Sequence, residues 1–84
     1  MTHVLKIAPQ YFIAVLERRK TFEVRVNNRP YRVGDDVILQ EYIAEGEGKY
    51  TGRIWHGRIT YLLDDPWFCK DRYVIFMKKL MGLN

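Results

Sequence analysis

Residues 20–28, KTFEVRVNN, bring a lysine, a carboxylate and a guanidinium close together in an alternating pattern. Alternation with a period of two predicts a β-strand that carries Glu23 and Arg25 on one face. The other face is apolar and consists of Phe22, Val24 and Val26. Because side chains two residues apart on a strand point the same way, about 6.5 to 7 Å apart, Glu23 and Arg25 can touch. A carboxylate there orients the guanidinium and leaves its other N–H groups for a phosphate oxygen or a base edge.

The charge around this strand is unevenly distributed. From Arg18 to Arg32, six basic residues stand against the single acid Glu23, a net charge of +5 in a chain whose total is +4. Such a segment favours a polyanion or a phosphate-bearing ligand, and a solvated surface turn is the alternative. The predicted ligand-binding residues are Lys20, Thr21, Glu23 and Arg25 in the strand region, Arg18, Arg19 and Arg29 at phosphates, and Lys6 and Arg53 as secondary contacts.

Several of these residues also have a purely structural interpretation. Glu23 and Arg25 could form an exposed ion pair worth about 0 to 1 kcal/mol. Tyr31 and Tyr50 could stack on a base or pack in the protein interior. In the same way, Trp67 and Phe68 could form an exposed patch for a partner or belong to the core.

Composition and chain length narrow the class of protein. An 84-residue chain with 48% hydrophobic and 29% charged residues is typical of one folded domain, here residues 1–84. Cys69 is the single cysteine, which excludes an intrachain disulfide. His3, His56 and Cys69 lack metal-binding spacing, so no metal and no cofactor is predicted. No leader and no apolar run of roughly 18 residues is present, so we expect a cytoplasmic protein outside the membrane.

Periodicity predicts five strands and one early helix. A strand at residues 2–7 precedes a helix at 9–19, which Pro9 begins. The later strands are KTFEVRVNN, VILQEY, RIWHGRITYLL and RYVIFMKKL, with a mobile loop expected at IAEGEGKYTG. Short strands with one apolar face can curl into a small barrel with the helix across one opening. We therefore expect a mainly β (α+β) fold, and an open α+β sandwich is the alternative.

The strand RIWHGRITYLL carries further information about side-chain placement. A strict period of two puts Trp55, Ile59, Tyr61 and Leu63 on one side. Gly57 interrupts this pattern. It predicts a bulge or a close approach of the backbone to another group.

The order of segments HVLKI, YFIAVL, RKTFEVRVNNRPYRVGD, VILQEY, YTG and ITYLL resembles the ASCH superfamily of PUA-like folds, most closely its DUF3850 subfamily of bacterial and phage-type domains. The superfamily pattern is Gly-x-Lys-x-x-Glu-x-Arg. Lys20, Glu23 and Arg25 match it, and a Gly-Asp turn follows at residues 34 and 35. Arg18 occupies the glycine position, which weakens the expectation that the chain bends sharply there to bring its backbone against a ligand.

The resemblance implies a PUA-like β-barrel of about five strands, with a cleft between barrel and helix that binds RNA or a nucleoside-like ligand. Some relatives hydrolyse the acetyl group of a modified cytidine and carry a threonine three residues after the lysine. Here Glu23 stands at that position, and Thr21 has the right chemistry at the wrong spacing. If the chain is an enzyme, Lys20 and Glu23 are the predicted catalytic residues. A domain that binds a protein partner in transcription or translation is a further alternative, and the oligomeric state stays open.

Overall fold

The structure, a computed structural model, describes residues 1–69 and 72–81. The strands are β1 (Thr2–Ile7), β2 (Phe22–Val26), β3 (Asp36–Ile43), β4 (Lys49–Leu63) and β5 (Tyr73–Leu80). Helix α1 (Pro9–Leu16) follows β1, and one helical turn, α2 (Pro66–Cys69), connects β4 to β5. The predicted mainly β fold with a helix after the first strand is confirmed.

The strands form one sheet that curls into a half-barrel, in the order β1-β3-β4-β5-β2. β1 is parallel to β3, and the other neighbouring strands are antiparallel. The concave side holds the apolar core, to which α1 contributes Phe12 and Val15 and the central strands contribute Leu39 and Phe76. β1 and β2 are the edge strands.

Helix α1 ends three residues earlier than the sequence pattern predicts. Arg18 has a φ of 64°, in the left-handed region that terminates helices. The backbone N–H groups of Arg19 and Lys20 both donate to the carbonyl of Ala14 and close the helix end. Arg18 therefore makes a sharp bend in a conformation that glycine adopts most readily, although the absence of a glycine had weakened that expectation.

Strand β2 has the alternation that the sequence predicts, but its polar face points inward. Glu23 is 2% exposed, whereas Val24 is 52% exposed. In the register with β5, Glu23 lies opposite the buried Phe76 and Arg25 lies opposite the buried Val74. β2 therefore departs from the general rule that a strand buries its apolar face.

Strand β4 changes face part of the way along its length. Its pairing with β5 shifts register between Ile59 and Tyr61. As a result Trp55 and Ile59 are buried, as expected, but Tyr61 is exposed and Leu62 packs against the core instead. The expected common face of Trp55, Ile59, Tyr61 and Leu63 is thus divided by the register shift.

Gly57 makes the close approach that its position in β4 predicts. A Cβ atom there would overlap the Trp55 ring and would lie 2.6 Å from the carbonyl oxygen of Lys79. The missing side chain therefore lets the indole lie across the strand.

The predicted loop at residues 43–52 is shorter than expected, because β4 already begins at Lys49. Trp67 in α2 is 85% exposed, so core packing of this residue is excluded, and the side chain of Phe68 lies outside the described part. Neither helix in residues 1–69 and 72–81 has the length and apolar character needed to cross a membrane.

Candidate functional site

The carboxylate of Glu23 is the centre of a buried cluster of charged groups. Arg25 donates to its Oε1 from Nη2 at 2.7 Å and from Nε at 3.2 Å. Lys20 donates to Oε2, and so does Lys78 at 3.3 Å. The predicted contact between Glu23 and Arg25 is confirmed, and three cations surround one anion. We call these four residues the Glu23 cluster; if all are ionised, its net charge is +2.

Lys78 was not identified from the sequence. Its side chain is 1% exposed, and its ammonium group also donates to the carbonyl of Phe22 at 3.0 Å. The ammonium lies 5.5 Å from the centre of the Trp55 ring. The available signal was the period of two in β5, since Val74 and Phe76 are buried and the next residue on that face is Lys78.

Burial and charge pull the pKa values of this cluster in different directions. Burial of Glu23 acts to raise its pKa, but the hydrogen bond from Lys20, the charge of Lys78 and the hydrogen bond from Arg25 outweigh it and lower that pKa. For Lys78, burial dominates and lowers the pKa to about 8, despite the attraction of Glu23. Glu23 therefore stays ionised at neutral pH. Lys78 exchanges its proton at a pH slightly above neutral, since its pKa is about 8.

Three cavities adjoin one another around the Glu23 cluster. The first, of about 410 Å³, lies between the end of α1 and β5 and is lined by Lys20. The second, of about 470 Å³, shares Lys20 with the first and lies between β1, the start of α1 and β2. The third, of about 360 Å³, shares Val24 and Arg25 with the second. Together they form a groove along the inner side and edge of β2.

This groove is strongly basic. Seven of the fourteen lysine and arginine residues of the chain line its three cavities, whereas Glu23 is the one acid lining them in the part of the chain that the structure describes. The seven are Lys6, Arg18, Lys20, Arg25, Arg29, Lys78 and Lys79. We call this surface the basic groove.

Most of the predicted binding residues lie in the basic groove. Lys20, Glu23 and Arg25 form its centre, Arg18 and Thr21 line the first cavity, Lys6 the second and Arg29 the third. Their role in binding stays a prediction.

Two predicted residues are engaged by other partners. Arg19 donates to Glu17 at 2.6 Å on the surface. Arg53 donates to both oxygens of the buried Glu41, at 2.8 and 2.9 Å, and Thr51 donates to the same carboxylate. The hydrogen bonds from Arg53 and Thr51 lower the pKa of Glu41 to about 2. This ion pair joins β3 to β4.

The two tyrosines for which both base stacking and interior packing were open differ in exposure. Tyr31 is buried, with ring centres 4.6 Å from His3 and 5.3 Å from Phe76, so it packs in the core. Tyr50 is half exposed and contacts Tyr42 edge to face, and the ammonium of Lys6 lies 5.8 Å from its ring centre. Of the two, Tyr50 is accessible to a base.

The histidines contact separate aspartates. His3, which is buried, bonds through Nε2 to Asp35 at 2.7 Å, and the N-terminal ammonium and the backbone N–H of Arg32 also donate to Asp35. His56 lies 3.4 Å from Asp36. Within residues 1–69 and 72–81, no three His, Cys, Asp or Glu side chains group so as to hold a metal ion. The His3–Asp35 pair instead ties β1 to the predicted Gly-Asp turn.

The geometry of the basic groove suits an anionic ligand with a planar group. Arg25 is oriented by Glu23 and is about one quarter exposed, so N–H groups stay accessible at the second and third cavities. The first cavity combines Arg18, Lys20 and Lys78 with the ring of Trp55 and the hydroxyl of Thr21. Charge, hydrogen-bond donors and apolar surface are thus adjacent.

Two comparisons with known proteins cover nearly the whole chain. A protein of Escherichia phage P2, described as an uncharacterized 12.9 kDa protein in the GpA 3' region, is similar to it. The two are 40% identical over 80 residues, which cover 95% of this chain and 69% of the phage protein. The model of the family described as a domain of unknown function, DUF3850, matches residues 2–77, from β1 into β5. The chain therefore belongs to the DUF3850 family.

Proposed function

We propose that this protein is a small module that binds nucleic acid, with RNA as its ligand, in the basic groove. The observation that carries the proposal is the concentration of seven cations and one acid along three adjoining cavities. A groove of this charge attracts a phosphate backbone, because each neutralised phosphate releases condensed counterions. The resemblance to the ASCH superfamily of PUA-like folds supports RNA as the ligand, and a cytoplasmic location accords with it.

The cations of the groove have different tasks in this proposal. Lys6, Arg18 and Arg29 each line a different one of the three cavities, so a nucleic-acid strand that lies along the groove would bring phosphates near each of them. Arg25, oriented by Glu23, contacts a base edge or a phosphate with a fixed geometry. Lys78 is almost fully buried and keeps Glu23 in place instead of reaching the ligand.

Binding of a labelled single-stranded RNA, measured by fluorescence anisotropy over a range of salt concentrations, tests the proposal. Lys6→Gln and Arg29→Gln should each weaken binding and reduce the salt slope by about 0.7 for each phosphate that the variant no longer neutralises. Lys49→Gln removes the same charge at an exposed position of β4 and is the matched control. DNA of the same sequence should bind more weakly than RNA.

Two results would contradict the proposal. One is that the groove variants and Lys49→Gln show the same salt dependence of RNA binding. The net charge of the protein, and not the position of its cations, would then account for binding. The other is the absence of RNA binding at low salt by the folded wild-type chain. A preference for DNA over RNA would still support the basic groove as the binding site, but it would exclude RNA as the ligand.

A second candidate function is hydrolysis of an acylated nucleoside, and one observation favours it. Thr21, whose spacing from Lys20 differs from that of the hydrolytic relatives, lines the same cavity as Lys20 and Lys78. Thr21 and two lysines thus line one cavity, and Lys20, whose side chain is 20% exposed, is the amine that a substrate would reach, because Lys78 is shielded from water. Water would cleave the amide, and the acid and the free nucleoside would leave.

Incubation of N4-acetylcytidine with a catalytic amount of protein, followed by chromatography, tests this second function. Turnover that is lost in Lys20→Ala and in Thr21→Val would support it. Thr21→Val has nearly the volume of threonine and keeps every cation of the basic groove, so it should leave the salt slope of RNA binding unchanged, and the two functions are separable. No conversion by wild-type protein that binds RNA would exclude hydrolysis of this substrate.

A further inference from the structure

The convex face of the half-barrel carries an uninterrupted apolar surface on β2, β5 and β4. The strand register aligns it in three cross-strand rows. The rows are Phe22 with Met77 and Tyr61, Val24 with Ile75 and Leu63, and Val26 with Tyr73. We call these eight residues the outer patch. It exists because β2 turns its charged residues inward and because the register shift in β4 turns Tyr61 and Leu63 outward.

The outer patch is large for a surface in contact with water. Six of its side chains are between 39% and 61% exposed, and Leu63 and Ile75 are half-buried. These exposures leave on the order of 500 Å² accessible, toward the upper end of the apolar patches of monomeric proteins. None of the eight residues is charged, in a chain of net charge +4. The patch therefore suits an uncharged apolar partner surface.

The charges at the two ends of the outer patch are of opposite sign. Arg58 and Lys79 face each other across β4 and β5 at one end. Asp64 and Asp65, both exposed, follow β4 at the other end, where the exposed Arg72 precedes β5, so the three charges there sum to −1. If two copies meet face to face with their strands antiparallel, the basic end of each copy lies over the acidic end of the other. A parallel arrangement would oppose like charges.

From these relationships we propose that the outer patch is the interface of a symmetric dimer of this chain. The two copies pack face to face with antiparallel strands, as two sheets do in a β-sandwich. Two patches bury on the order of 1,000 Å² before any contact of their charged ends, near the lower limit for a specific interface. Apolar contact supplies the affinity, and the charged ends set the orientation.

The dimer leaves the centre of the basic groove accessible, because Glu23 and Arg25 point to the opposite side of β2. Val24, Val26 and Tyr73 of the outer patch and Lys79 at its basic end also line parts of the groove, which the partner copy would border. The centres of the two grooves would then face away from each other on one assembly. The dimer proposal does not depend on what the groove binds, since its measurement needs no ligand.

Sedimentation velocity of the 84-residue chain, at concentrations from about 1 µM to about 1 mM, tests the proposal. We expect a monomer–dimer equilibrium. Tyr61→Lys and Met77→Lys should each raise the dissociation constant at least tenfold, because each places a charge at the centre of an apolar interface. Val33→Lys adds the same charge at an exposed apolar residue of a loop and should leave dimerisation unchanged. Circular dichroism confirms that each variant is folded.

A charge exchange tests the orientation and uses exposed residues, so it does not depend on core stability. Lys79→Glu alone should weaken the dimer several-fold, because it opposes the acidic end of the partner. Combined with Asp64→Lys, it should restore the dimer.

A wild-type chain that stays monomeric throughout the concentration range would overturn the proposal and leave the patch to another partner. A dimer that Tyr61→Lys and Met77→Lys do not weaken would overturn it as well. Failure of the double charge variant to recover would exclude the antiparallel orientation.

Discussion

The ammonium nitrogen of Lys78 lies 3.3 Å from Oε2 of Glu23, and the two residues are 55 positions apart in the chain. Both side chains are almost completely shielded from water. In such surroundings each charge depends on the other, because loss of one partner leaves a buried charge uncompensated. This pair holds the edge strand β2 against β5 at the centre of the basic groove.

Glu23→Gln should destabilise the protein by about 3 to 5 kcal/mol, because three cations would lose their shared anion. Chemical denaturation measures the change. Glu23→Gln combined with Lys78→Met should cost less than the two single changes together, since the double variant removes both members of the pair. Glu17→Gln, at an exposed carboxylate, is the control and should change stability by less than about 1 kcal/mol. Strict additivity of the two buried changes would show that the pair is not coupled.

The free energy of unfolding should rise with pH above about 8 through Lys78. Burial lowers its folded-state pKa to about 8 from an ordinary value of 10.5. Between these values the unfolded chain holds a proton that the folded chain has released, so stability increases with pH. Denaturation of wild type and Lys78→Met at several pH values up to about 9.5 measures the difference. Parallel pH profiles for the two proteins would contradict this prediction.

Acid should destabilise the protein through Glu41, so that stability again rises with pH, but in a lower pH range. Its pKa of about 2 in the folded state lies below the ordinary value of 4.5. Its stabilisation is therefore complete above the ordinary value and is lost as the pH falls from 4.5 toward 2. The melting temperature of Glu41→Gln should change less over this range than that of wild type. Glu45→Gln, which removes a carboxylate from the exposed loop, should keep the wild-type profile.

Arg18→Gly should stabilise the fold by about 0.5 to 1 kcal/mol. Arg18 has a φ of 64°, a conformation that costs an L-residue about 1 to 2 kcal/mol. Glycine removes this strain, but it also raises the conformational entropy of the unfolded chain, which offsets part of the stabilisation. Thermal unfolding measures the effect. Arg19→Gly, one residue further along, should not stabilise the protein. A lower melting temperature for Arg18→Gly would mean that contacts of the arginine side chain exceed the backbone strain.

Gly57→Ala should destabilise the protein by about 1 to 3 kcal/mol, because the new methyl group overlaps the Trp55 ring and the backbone at Lys79. The indole must move, so its fluorescence should shift as well. Measurement in a Trp67→Phe background isolates the signal of Trp55. Thr60→Ala, at an exposed position of the same strand, is the control. Unchanged emission and stability would exclude the close approach.

The succession of elements could be predicted because hydrophobic periodicity is local. The strands near residues 2–7, 37–42 and 72–80 and the helix that begins at Pro9 all follow from spacing within a few residues. The boundaries were less accurate where one backbone conformation decides them. The left-handed Arg18 ends the helix early, and no property of an arginine side chain indicates that conformation.

Only part of the candidate site could be predicted, because the sequence pattern shows contacts within one strand but not contacts between distant strands. Glu23 and Arg25 were recognised because they are neighbours on one strand face. Lys78 and Lys79 were missed, because a contact between β5 and β2 exists only when the sheet has formed. Tyr31 was expected as a possible platform, but it packs between His3 and Phe76.

By itself the sequence determined the alternation of β2 and the contact between Glu23 and Arg25, since both depend only on the geometry of an extended chain. The tertiary structure alone decided which face of that strand points into the half-barrel. The local pattern favours burial of the apolar face, and partners from distant parts of the chain reverse that preference. Lys78 lies on β5 and contacts Glu23 together with Lys20 and Arg25. These three cations make the burial of the Glu23 carboxylate possible, and Val24 and Val26 therefore face outward.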